Sequence, residues 1–126
     1  MFANVHTSIE DFVVPPPEQI AAAAGRFRLL GDPVRLTICC ALAQGETNPT
    51  CLAELAGVSV PAVSQHLSKL RLAGVCRPHR DGQRVWYELV DPAVRDLVRQ
   101  LLGPAAPIIG DEGAPASSVP AAGVRS

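Results

Sequence analysis

Apolar residues recur along this chain with a helical period in most stretches and with a period of two in one. Residues 18–30 set Ile20, Ala24, Phe27 and Leu30 on one stripe, and residues 92–102 do the same with Val94, Leu97, Val98 and Leu101. Within residues 60–72, Leu67 and Leu70 fall within roughly 40° of Val63 on a helical wheel, which makes the three a buried face. Punctuation marks where the helices start. Asp32-Pro33, Asn48-Pro49 and Asp91-Pro92 each put an oxygen acceptor before a proline whose missing N–H is no loss in a first turn. Ser59 can cap the helix that reaches Leu72, and Gly45, Gly57, Gly74 and Gly103 stand where helix ends favour a left-handed residue. This predicts five helices.

The period of two appears in VCRPHRDGQRVWYELV, where Val85, Tyr87 and Leu89 alternate with Trp86 and Glu88. Two extended runs around Asp81-Gly82 read as a β-hairpin with a tight turn, and Pro78, which cannot donate to a ladder, places its strand at an edge. The flanks look different. Residues 1–17 and 103–126 are rich in Pro, Ala, Gly and Ser and lack a periodic apolar pattern, so they are expected to be a flexible arm and a disordered tail around a folded domain of residues 18–102. A domain that small has a thin core, and pairing with a second copy is an expected source of further burial. With no run of about 18 apolar residues and no basic, apolar leader, the chain is expected to be cytoplasmic and without contact to a membrane. Its cysteines, Cys39, Cys40, Cys51 and Cys76, are then expected to be thiols.

Charge changes the picture by its placement. The net charge is −1, yet residues 59–87 hold Lys69, Arg71, Arg77, Arg80 and Arg84 against Asp81 alone. Cations gathered in one stretch suit phosphate. The same stretch includes the outer face of the 60–72 helix, with Pro61, Gln65, Ser68, Lys69 and Leu72 flanked by Ser64 and Arg71, and short donors and acceptors bordered by cations suit base edges. A solvated surface would explain that face equally well until its neighbours are read. Ala53, Gly57 and Val63 set a small residue where two helices cross, a glycine in the turn and a β-branched anchor in the second helix. That spacing is a helix-turn-helix. The following hairpin, with Arg80, Gln83 and Arg84 about its tip, is placed as a wing. The fold class is therefore mainly α with a two-stranded β-wing, a winged helix-turn-helix of five helices plus a hairpin.

The segments LLGDPVRLTI, CLAELAGVSVPAVSQHLSKLRLAGV and RDGQRVWYELV, in that order, resemble the ArsR/SmtB family of winged-helix transcriptional regulators. The resemblance runs from about residue 20 to 102. It implies a homodimer built by the first and last helices, through Ile20, Ala24, Phe27, Val94, Leu97, Val98 and Leu101, that reads an inverted repeat in double-stranded DNA and represses until an effector binds. By the same match Val60, Pro61, Ser64 and Gln65 should lie against DNA and Arg80 and Arg84 in the wing; with Ser59, Ser68, Lys69, Arg71 and Gln83 these complete the expected DNA-binding set.

The effector is less legible. Family members often grip soft metals through a Cys-x-Cys pair before the turn, but those positions hold Asn48 and Thr50, with Cys51 one residue later. Other members use a site between the two final helices, and the matching positions are Asp91, Ala93, Pro104 and Pro107. Asp91 is read first as an N-cap, and the adjacent Cys39 and Cys40 first as core. As metal ligands the remaining choices are His6, His79, Cys39, Cys40, Cys51 and Asp91, a set that favours nickel, cobalt or zinc over arsenic. Thiol oxidation at Cys51, or a signal from a second regulatory protein, is the alternative. His66 is read as a half-buried structural histidine bonding backbone or phosphate, and Trp86 as a packing residue. An enzyme is not expected: the chain has no phosphate loop and no nucleophile with a base and an orienting group.

Overall fold

The computed structural model describes residues 5–102. Five helices and one hairpin follow in the order α1 (Pro17–Leu30), α2 (Pro33–Leu42), α3 (Pro49–Ala56), α4 (Val60–Leu72), β1 (Cys76–Asp81), β2 (Arg84–Leu89) and α5 (Pro92–Leu102). Each predicted cap forms. Asp32 accepts from the N–H groups of Val34 and Arg35, Asn48 from Cys51, Ser59 from Ala62 and Asp91 from Ala93 and Val94, so orphan donors at four helix starts are satisfied locally. The turn between α3 and α4 is set by Gly57, whose φ of 70° is left-handed; Gly57 N–H bonds Glu54 O, and Val58 N–H reaches back to Ala53 O. A side chain at Gly57 would strain this corner and reorient α4.

The core lies between α2, α3, α4, α5 and the base of the hairpin. Ile38, Cys39 and Leu42 from α2, Leu52 and Ala53 from α3, Val63, Leu67 and Leu70 from α4, and Val94 and Val98 from α5 close around Val75, Cys76 and Leu89. The stripe expected in α4 is thus the face that fixes this helix to the body.

In the antiparallel hairpin Cys76 pairs with Leu89 and Asp81 with Arg84, which leaves Gly82-Gln83 as a two-residue loop one position later than the expected Asp81-Gly82. Gly82 takes φ of 66°, the conformation that twisted hairpin turns demand at that position, so the glycine decides the register. Tyr87 carries a second partner on the other side of β2. Its N–H donates to Thr47 O at 2.7 Å and its O accepts from Thr47 N–H at 3.2 Å, an isolated bridge that ties the loop before α3 to the wing. Pro78 sits on β1, which has no further strand beside it among the described residues.

Ahead of α1, Ser8 caps a 3-10 turn at Ile9–Asp11. Two expectations are corrected. Val94 and Val98, assigned by their stripe to a dimer face, are buried inside the single chain against α2. A stripe reports that a face is covered and not which chain covers it. His66 bonds a side chain rather than backbone, with its Nδ1 3.1 Å from the guanidinium of Arg35. The tail from residue 103, with Gly103, Pro104 and Pro107, lies outside the described residues.

Candidate nucleic-acid interface

With Val63, Leu67 and Leu70 turned inward, the 100° step per residue turns the rest of α4 out. Val60, Pro61, Ser64, Gln65, Ser68, Lys69 and Arg71 are all exposed along its length, as is the capping Ser59. Pro61 in the first turn removes an N–H that would have no intrahelical partner. The helix is held on its other side too. Arg35, from α2, donates its Nε to Leu29 O at 2.7 Å and lies against His66 Nδ1, so a half-buried imidazole braces α4 against the α1–α2 corner. Arg35 was not visible in the sequence as part of this unit, since its partner lies 31 residues away.

At the tip of the hairpin Arg80, Gln83 and Arg84 are exposed. The arginines fall into two groups that composition could not separate. Arg77 donates Nε to Glu88 Oε2 at 2.7 Å, which holds the Glu88 carboxyl below its ordinary range, and Arg26 pairs with Asp91 at 2.9 Å. Arg77 is therefore compensated within the hairpin and leaves the set of free cations that the sequence assigned. Among the described residues no ion pair engages Lys69, Arg71, Arg80 or Arg84. These four cations and the short hydrogen-bonding groups of the polar face of α4 are exposed and available to a polyanion.

The candidate effector residues are scattered. Cys39 is fully buried, and burial pushes its thiol up to about 12; burial likewise raises Cys76 to about 11, and its Sγ lies 3.9 Å from Leu67 O. Cys40 is half-buried and raised for the same reason. Thiols held in their protonated form are poor metal ligands and poor redox sensors, so the core reading of Cys39 and Cys40 explains them. Cys51 is exposed on α3. Asp91, 6% exposed, spends one oxygen capping α5 and the other on Arg26, and Ala93 beside it offers no ligand atom, so the position between the last helices does not fit a metal. His6 packs its ring edge-on to Phe12. His79 has company: its Nε2 lies 3.3 Å from Glu46 Oε1, and donor atoms of Glu46, His79 and Glu88 are all within 4.8 Å of one another. The sequence points to neither glutamate, because what brings both beside His79 is the pairing of residues 47 and 87 in the fold.

Residues 32–76, from the α2 cap through the whole helix-turn-helix, match the family profile described as bacterial regulatory protein, arsR family. Transcriptional repressor SdpR of Bacillus subtilis is 33% identical over 76 residues, covering 60% of this chain and 84% of that protein. The chain belongs to the ArsR family. HTH-type transcriptional regulator KmtR of Mycobacterium tuberculosis is 41% identical over 83 residues, 66% of this chain, and the match spans 64% of KmtR's own length, short of two thirds. In three dimensions the chain is similar to the homodimeric winged helix-turn-helix DNA-binding domain Mb0332 from Mycobacterium bovis, with a TM-score of 0.59, 25% identity, and coverage of 71% of this chain and 86% of that one. The winged helix-turn-helix expected from spacing is the fold of this ArsR-family chain, and its relatives are regulators of transcription and not enzymes. Among the described residues no helix is long and apolar enough to cross a membrane.

Proposed function

We propose that this chain is a homodimeric, sequence-specific DNA-binding repressor that reads an inverted repeat by placing α4 of each copy in successive major grooves. The observation that carries this reading is that Lys69, Arg71, Arg80 and Arg84 make no ion pair among the described residues and, like Ser64, Gln65 and Ser68 of α4, are exposed. Cations without internal partners lose no ion pair when they meet phosphate, and the release of counterions from DNA favours the contact. A two-fold assembly sets half-sites about one helical turn or more apart, and a dimer seated there blocks a promoter by occupancy. Exposed Ile20, Phe27 and Leu101, together with Ala24 and Leu97, supply an apolar surface on α1 and α5 for the second copy.

Binding of the full chain to a labelled fragment of its own promoter, followed over a series of salt concentrations, tests the reading. Arg80→Ala is expected to weaken every sequence alike and to flatten the slope of log affinity against log salt by about one unit. An unchanged affinity and slope would remove the wing from the interface. Gln65→Ala should instead relax preference at one base position, losing about 1–3 kcal/mol of discrimination there while leaving the salt slope intact.

The signal favoured here is a transition metal of the nickel, cobalt or zinc class. What supports it is His79 with two carboxylates beside it, a donor set of the kind those ions take. The thiol alternative is left to Cys51, since Cys39 and Cys76 are protonated in the core. A second regulatory protein would be called for if no such ion changed promoter binding.

A further inference from the structure

We propose that Glu46, His79 and Glu88 form a binding site for one divalent transition-metal ion at the base of the wing, and that the ion competes there with Arg77. The proposal gives the metal response suggested above a place in the fold, and it is tested without DNA.

Backbone pairing builds the site. The two hydrogen bonds between Thr47 and Tyr87 lay the loop before α3 alongside β2, so the preceding Glu46 comes opposite the following Glu88. On the other side of β2, Arg77 is the partner of Glu88, and His79, two residues further along β1, shares its face. Three segments distant in sequence thereby converge on one outward surface, which their backbone ladders hold in register. Side chains finish the arrangement. Two ligands bound at about 2.1 Å to a tetrahedral ion stand about 3.4 Å apart, and the 3.3 Å between His79 Nε2 and Glu46 Oε1 already matches. The Glu88 oxygen completes the triangle within 4.8 Å, a gap that a long, surface side chain closes by rotation.

The donor set names the class of ion. One imidazole nitrogen and two carboxylate oxygens suit zinc, nickel or cobalt, and the lack of a thiolate disfavours thiophilic ions such as mercury or arsenic. Competition with Arg77 follows from the 2.7 Å bond of Glu88 Oε2 to its guanidinium. An ion at this position takes over a carboxylate that Arg77 now neutralises, and so sets free a further cation on the hairpin. It also ties Glu46, two residues before the α3 cap Asn48, to His79 of β1 and Glu88 of β2, and so links the wing to the loop that leads into α3.

The test uses the full chain, stripped of metal by a chelator and titrated calorimetrically with zinc, nickel or cobalt chloride in the absence of DNA. One ion per chain is expected. His79→Ala and Glu46→Gln should each weaken binding by about tenfold or more, and Arg77→Ala should tighten it by removing the competing cation. His6→Ala and Cys51→Ser should leave it unchanged. Wild-type affinity in His79→Ala or Glu46→Gln, with the fold intact by circular dichroism, overturns the site, and so does loss of binding on His6→Ala or Cys51→Ser. Failure of the unsubstituted protein to bind DNA would instead strike the regulator reading and leave the titration standing.

Discussion

Phe27→Asp is expected to yield a folded monomer that no longer holds an inverted-repeat operator. Phe27 is 64% exposed on α1, so its ring supports none of the single-chain core, and a carboxylate there meets water in the monomer. In a dimer that buries Phe27 with Ile20 and Leu101, the same carboxylate is unpaired and desolvated, which opposes association. Affinity for a two-site operator should fall by about 10²-fold or more, because the second half-site contact is no longer intramolecular. Sedimentation equilibrium and an operator titration on the same sample give the answer. A stable dimer that still footprints both half-sites would move the interface elsewhere. Val98→Asp makes the contrast: Val98 is fully buried between α5 and α2, and a charge there should unfold the chain rather than divide the dimer.

Leu67→Ala is expected to destabilise the fold by about 2–5 kcal/mol, the range for removing a buried leucine and leaving a partly collapsed cavity. Leu67 is 1% exposed at the middle of the stripe that fixes α4, with Val63 one turn before and Leu70 three residues after, and the Cys76 thiol lies against its carbonyl. A domain this small has a total stability of about 5–15 kcal/mol, so this one change removes a large share of it. Denaturant melts at matched protein concentration measure the loss, since any dimer couples stability to concentration. A change below about 1 kcal/mol would mean that α4 is not seated on the core through this residue. The outward Ser68→Ala should behave in the opposite manner, nearly neutral in the melt and visible only in DNA binding.

These two variants also mark what sequence could and could not say about faces. The stripe in α4 was legible because a single helix with one apolar face and one polar face has only one way to sit. The stripe in α5 was ambiguous, since a small domain and its dimer use the same kind of surface. Val94 and Val98 turned out to serve the chain itself, while Leu101 in the last turn stays exposed and Leu97 is half-covered. The residues expected at DNA on α4 and at the hairpin tip are all exposed, so none of them serves the core. Of the cations counted in residues 59–87, Arg77 is the one that is paired, because Glu88 lies opposite in a register fixed by Gly82.

The sequence by itself determined five helices, their caps, the corner at Gly57 and the hairpin, since each depends on residues within a few positions of one another, where proline, glycine and capping oxygens act directly. Only the tertiary structure decided which charges stay free, which cysteines are sealed in, and which groups meet: Arg26 with Asp91 across 65 residues, Arg35 with His66, and Glu46 with His79 and Glu88. The reason is physical. A pairing between distant residues exists only once helices have packed and strands have aligned, and no local pattern records which of several like-charged side chains will arrive.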